Sequence, residues 1–424
     1  MSSLSKVDSG KKKASDYFTL LVYSVILGAI CGVVIWLFLT AMEYGIDFLW
    51  DYLPKKLNFP YYTFIVCLIG SILIGLIQKK FGNYPEEMVV VFGKIKQNGS
   101  YDYSKVPIYA ISAFVPLVLG ASVGPEAGLV GLIAGLCSFV KHKFTVLNKQ
   151  FSDVAHVGFS AALAVVFQSP LFGFIEPLED DNFNIPKKSK TLLYFTVILA
   201  AFGAFILLKY YIPSAGGEMG RLDDFAAGKK EWIFALPCIF IGYLGGFLFL
   251  FFEKYVAKAY GLLREKHMLK AVIGGVILGI CGILLPYTMF SGESQIAEIG
   301  LEWKEMGIVL LLVTGLVKLF LTASCIYSGF KGGHFFPAIF AGISLGYGFS
   351  IIFGINSAFC CAALTASLMS STLRKPVATA LLLLLCFPPD SLIVILAAAV
   401  IGSIIPMPKS FLKSDLDVDP KTAD

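Results

Sequence analysis

Gly120-Ala121-Ser122-Val123-Gly124-Pro125-Glu126 runs straight into Ala127-Gly128-Leu129-Val130-Gly131, a turn of small residues opening a small-residue helix. Proline in the first turn of a helix sacrifices no hydrogen bond. Glycine just before it lets the backbone approach a ligand closely. The same order recurs later. Gly332-Gly333-His334-Phe335-Phe336-Pro337 opens Ala338-Ile339-Phe340-Ala341-Gly342. Forty-five residues past Pro125 comes Pro170, in Phe167-Gln168-Ser169-Pro170-Leu171. Thirty-nine residues past Pro337 comes Pro376, in Leu373-Arg374-Lys375-Pro376-Val377. The chain therefore reads as two weakly similar halves. Its most polar interior stretches are 141–153, 179–190 and 213–231, and 180–190 is the best boundary. The predicted organisation is a tail at 1–16, a first repeat at 17–185, a second at 186–406 and a tail at 407–424.

What surrounds these turns is apolar. Of 424 residues, 57% are hydrophobic and only 15% charged, against about a quarter charged in an average soluble domain. So few charges cannot cover a water-facing surface of this size. A soluble enzyme and a disordered chain are excluded. A net charge of +5 with scattered lysines leaves no nucleic-acid footprint. Crossing the ~30 Å hydrocarbon core takes about 20 apolar residues. Runs at 17–42, 61–78, 191–212, 232–252, 270–290 and 306–327 meet that length. Shorter ones lie at 106–120, 125–140, 155–175, 335–353, 356–372, 376–387 and 391–406. Helices that short end inside the bilayer, where their backbone must be buried in protein or line a wet cavity. Interrupted segments of this kind mark the binding site of a transporter-like fold. The predicted class is an all-α polytopic membrane protein.

Lys11-Lys12-Lys13 before the first run argues for a cytoplasmic N-terminus, and Lys79-Lys80 fits the same topology. The first apolar run is too long for a signal peptide. The short tails leave no room for an appended soluble domain. The nine cysteines lie almost all in apolar runs without a CxxC pair, and the four histidines are scattered, so neither metal nor cofactor is expected.

The two turns define a chemistry. A helix N-terminus presents unpaired N–H donors and a partial positive charge. Two such ends aimed at one point make an anion site without a full charge. Partial charges bind strongly enough to admit an ion and weakly enough to release it. Neither turn contains Arg or Lys, although Lys331 flanks the second. A small-anion pathway is the reading that follows.

These residues carry a resemblance. The chain resembles the CLC family of chloride channels and proton-coupled chloride exchangers. Gly333-His334-Phe335-Phe336-Pro337 matches the family's GxFxP motif, and Val123-Gly124-Pro125 sits where the family writes GKEGP or GREGP. Ala161-Ala162-Leu163-Ala164-Val165-Val166-Phe167-Gln168-Ser169-Pro170-Leu171-Phe172-Gly173 resembles its AAAGLAAAFNAPLAG stretch. The resemblance spans about residues 17 to 406. It implies about seventeen tilted, partly re-entrant helices in two inverted repeats. It also implies a homodimer with one pathway per subunit, and chloride or other small anions as substrate.

The departures from the family bear on mechanism. The family's gating glutamate precedes the GP pair; here that position is Val123, which neither competes as an anion nor titrates. By resemblance this predicts an uncoupled channel or uniporter. Glu126, three residues on, has two readings. One is a carboxylate stabilising a helix N-terminus. The other is a displaced gate or proton acceptor, since intramembrane ionisable groups are functional by default. Matching Pro85 to the family's GSGIP proline puts Gly82 at the serine, so the hydroxyl is missing and Asn83 is left to offer an amide or to serve as a turn residue. After Met407 the one aromatic is Phe411, so the family's second hydroxyl donor, a tyrosine, is expected to be absent. The inner proton-transferring glutamate falls at Asp180, in Glu179-Asp180-Asp181.

The sequence thus predicts chloride transport between the turns. The amides of Val123, Gly124, His334 and Phe335 would be the ligands, with Pro125, Gly333, Phe336 and Pro337 shaping the site. The Phe335 ring edge is weakly positive, and the His334 ring can titrate near neutrality. A proton-coupled chloride or fluoride antiporter using Glu126 is the alternative. A membrane enzyme is the alternative from another class, but Glu126, Glu176, Glu179 and Asp180 have no His or Cys partner at useful spacing. A bacterial inner membrane, with both termini cytoplasmic, is the expected setting.

Overall fold

The structure, a computed structural model, describes residues 2–143, 154–179, 188–212, 220–263 without 224 and 226, 265–408 and 410–411. The 180–190 boundary and Asp180 lie largely or wholly outside these residues. Every regular element among them is helical. In the first half these are α1 (Ser2–Asp47), α2 (Tyr62–Phe81), α3 (Met88–Asn98), α4 (Val106–Val118), α5 (Glu126–Lys143), α6 (Val154–Val166) and α7 (Pro170–Ile175). Then follow α8 (Lys188–Tyr211), α9 (Lys229–Gly261), α10 (His267–Leu284) and α11 (Glu293–Ser328). The chain closes with α12 (Phe335–Phe353), α13 (Ser357–Leu373), α14 (Pro376–Leu383) and α15 (Leu392–Ile404).

Seven helices among the described residues are long and apolar enough to cross a membrane. Their outward faces carry large apolar side chains, such as Ile69, Leu207 and Ile233, which suit lipid and not water. α12 is one of these seven, although 335–353 was expected to be too short, but it shares with α5 a course buried inside the protein. α5 and α12 are buried along most of their length, and each begins at a Gly-rich turn in the interior. α5–α6–α7 and α12–α13–α14 follow one plan: a buried helix, an Ala-rich helix, then a short helix opened by proline. α7 packs against α14, so the two proline-started helices meet.

Several expected runs change shape. The run 155–175 divides at Gln168, which is left-handed (φ 44°). There the Ser169 hydroxyl accepts the Phe172 N–H at 3.3 Å, capping the new helix that Pro170 opens. The run 306–327 begins earlier, at Glu293, and breaks at Gly307 (φ 76°, ψ 164°), a conformation only glycine adopts readily. The run 270–290 ends at Leu284, and a short 3₁₀ turn at Pro286–Thr288 follows. No helix was expected between 79 and 105, yet α3 forms there. Its apolar Val91 and Ile95 are buried while Lys96 and Gln97 face outward, a periodicity too short and too polar to register as a span.

Close packing relies on small residues. A Cβ on Gly28 or Gly32 of α1 would lie 2.3 or 2.2 Å from the Val197 or Ala201 carbonyl oxygen of α8. Helices without a hydrophobic driving force between them associate through such close backbone approach.

Candidate functional site at the meeting of the two turns

The two turns meet and pair. Gly124 N–H donates to the Gly333 carbonyl and Gly333 N–H donates to the Gly124 carbonyl, both at 2.8 Å. Val123 is fully buried, its N–H donates to the Ala121 carbonyl at 2.8 Å, and its side chain packs against Gly332. The amides of Val123 and Gly124, named from sequence as ion ligands, therefore have backbone partners in this conformation. Pro125, Gly333, Phe336 and Pro337 are buried around the junction.

Glu126 occupies the space the turns enclose. It is 1% exposed. Its Oε1 accepts the Phe335 N–H at 2.8 Å, and the N–H groups of Phe336 and of Glu126 itself also reach the carboxylate. The carboxylate so lies on the amides at the start of α12 while belonging to the first turn of α5. It stands where a free anion between two helix N-termini would stand. Oε2 is buried without a hydrogen-bond partner. Two glycines make the room. A Cβ on Gly333 would lie 2.0 Å from the Glu126 carboxyl carbon, and one on Gly124 would lie 2.0 Å from Oε2.

The voltage-gated chloride channel family matches residues 70–406, most of the chain. The protein belongs to this family, the CLC proteins. It is 25% identical over 316 residues to the ion-transport protein YfeO of Salmonella newport, covering 71% of this chain and 72% of that one. Its fold is similar to a CLC-type fluoride/proton antiporter (TM-score 0.72, 18% identity, 92% and 95% of the two chains covered). It is similar too to a slow cyanobacterial Cl⁻/H⁺ antiporter (TM-score 0.75, 20% identity, 91% and 93% covered). The chain is an integral membrane protein for CLC-type anion transport.

Other named residues of this CLC chain surround the junction. Phe335 and Phe336 stack against Phe167, with ring centroids 5.4 and 4.9 Å away. The half-buried His334 ring packs against Phe249 at 5.5 Å and Phe335 at 5.1 Å. Gly82 has φ 93° and ψ −168°, open to glycine alone, and the Asn83 side chain is exposed. Further along this loop Pro85 lies beside Gly128, two residues into α5 from Glu126, while a Cβ on Gly82 would meet only Tyr84. Phe411 lies against Phe247 and Phe251, with the Lys254 ammonium 4.4 Å from its ring centre.

Two further acids were named. Glu176 pairs with Lys375 at 2.7 Å. Glu179 accepts the N–H groups of Val377 (3.0 Å) and Ala378 (2.6 Å) at the start of α14. A first-half carboxylate therefore sits on a second-half helix start twice: Glu126 on α12 and Glu179 on α14.

Gln78 was missed. It is 2% exposed, and its Nε2 donates to the Gly329 carbonyl at 2.8 Å, tying the end of α2 to the end of α11 beside the second turn. The available signal was an uncharged amide inside the apolar run 61–78. Gln78→Leu takes that donor from Gly329 and is expected to lower stability by about 1–3 kcal/mol. Thermal unfolding in detergent would register it; an unchanged midpoint would show that the bond contributes nothing.

Proposed function

We propose that this protein moves small anions, chiefly chloride, and that Glu126 is its gate. The observation that carries the reading is the Glu126 carboxylate on the Phe335 amide, buried between two helix starts. A carboxylate and a chloride compete for the same donors. The ionised side chain fills the site. Protonation removes its charge, weakens its hold on the amides and lets the side chain leave, so that an anion can enter. Proton uptake and anion entry are then linked at one residue.

Val123 alone argues for uncoupled conduction, since valine cannot titrate. The position of Glu126 favours the coupled reading, because a titratable group reaches the site from three residues further along. Chloride is the first substrate to test and fluoride the second. As in the family, a homodimer with one pathway per subunit is the assembly we propose, in a bacterial inner membrane with both termini cytoplasmic.

The deciding experiment uses purified protein in liposomes, with a chloride gradient imposed and internal pH recorded alongside chloride efflux. Chloride movement that drives protons against their gradient is the expected result. Chloride flux set by voltage alone, with internal pH unmoved, would return the protein to the channel reading and make Val123 the reason.

A further inference from the structure

Lys318, on α11, is fully buried, and all three of its ammonium protons are directed at main-chain carbonyls. Its Nζ donates to Thr288 at 3.1 Å, Met289 at 2.9 Å and Phe290 at 2.7 Å, and it lies 5.2 Å from the Phe340 ring centre. None of these partners is a carboxylate. A buried cation without an opposite charge is expensive to keep, and within a membrane such groups rest on backbone carbonyls and mark ion pathways.

Two routes lead from Lys318 to the first turn. Phe290, whose carbonyl accepts from the ammonium, donates its own N–H to the Gly120 carbonyl at 3.1 Å. Thr322, one helical turn along α11, donates its hydroxyl to the Lys318 carbonyl at 2.8 Å. That leaves the Thr322 oxygen to accept from the Ser122 hydroxyl, 3.2 Å away. Gly120 and Ser122 are the residues whose placement sets Val123 and Gly124. Gly120 (φ 77°) is held tightly, since a Cβ there would lie 2.7 Å from Met289 and 2.9 Å from Trp50.

We infer that Lys318 is the fixed positive charge of the anion pathway and a positioning residue for its first turn. It draws a small anion toward the junction without touching it, and it holds the Gly120–Gly124 turn through Phe290 and Thr322. The inference rests on the junction being the anion site. In a medium of effective dielectric about 20, a unit charge roughly 12 Å from a halide changes its binding by about tenfold.

The test is chloride binding to the purified protein by calorimetry, with melting recorded on the same samples. Lys318→Met is expected to weaken chloride binding about tenfold, and Lys318→Arg, which keeps the charge, to restore most of it. Thr322→Val leaves the charge in place but cuts the link to Ser122. It should weaken binding two- to threefold, about the worth of one neutral hydrogen bond, with a melting temperature lowered no further than in Lys318→Met. A folded Met variant with wild-type affinity overturns the inference, as does an Arg variant no better than Met. Should the Met variant fail to fold, unchanged affinity in Thr322→Val overturns it instead. Glu126→Ala in the same assay should tighten binding. If it does not, the gate reading fails while the Lys318 comparison still stands.

Discussion

Glu126→Ala is expected to raise chloride efflux at neutral pH about tenfold or more and to end any proton movement that accompanies it. The wild-type carboxylate must be lifted off the Phe335 amide before an anion can take its place. A hydrogen bond to a charged group is worth about 1.5–3 kcal/mol, and each 1.4 kcal/mol is a factor of ten. Alanine removes both the competitor and the only titratable group on those amides that is named above. Glu126→Gln separates the two effects. Its amide oxygen can still accept from Phe335, so the plug persists in part while the proton carrier is gone. The expected pattern is intermediate efflux with no proton movement. Wild-type efflux and wild-type proton movement in both variants would remove Glu126 from the mechanism.

Gly333→Ala is expected to destabilise the protein and to push the Glu126 carboxylate off the α12 amides. The new Cβ would be placed 2.0 Å from the Glu126 carboxyl carbon, far inside contact distance. Either the carboxylate leaves the amides or the paired turns part. Overpacking of a well-filled interior costs about 1–3 kcal/mol, sometimes more. The cause can be isolated with a second substitution. In the Glu126→Ala background the clash partner is absent, so Gly333→Ala should cost at least about 1 kcal/mol less than in wild type. Thermal unfolding of the four proteins in one detergent measures this. Strictly additive losses would mean that the methyl group collides with something other than Glu126.

The junction was legible from composition around two prolines. Glycine followed by proline, then a small-residue helix, located both turns to within a residue or two, and the repeat of that order gave the two-half architecture. That the converging turns pair their peptides directly was not legible. Nothing local to Gly124 or Gly333 says that their peptides pair across more than two hundred residues of chain. The same holds for Glu126: its spacing allowed either a helix-start carboxylate or a displaced gate, and only the α12 amides beneath it favour one. Gln78 and Lys318 escaped for another reason. Each is a polar residue in an apolar run, and its value lies in main-chain carbonyls supplied by distant turns. α3 escaped because a half-buried helix of eleven residues shows neither a span's length nor a core strand's run.

The reciprocal hydrogen bonds between the peptide groups of Gly124 and Gly333 also restrict how this protein can work as a machine. Many carriers expose their cargo to each side in turn by tilting one half of the molecule against the other. Here the halves are stitched together at their centre, and tilting would tear both stitches in a place where no solvent stands ready to replace them. The backbone at the junction therefore behaves as a fixed hub. With Glu126 as the gate proposed above, the moving part would be one side chain a few ångströms long, and the backbone around it would stay in place.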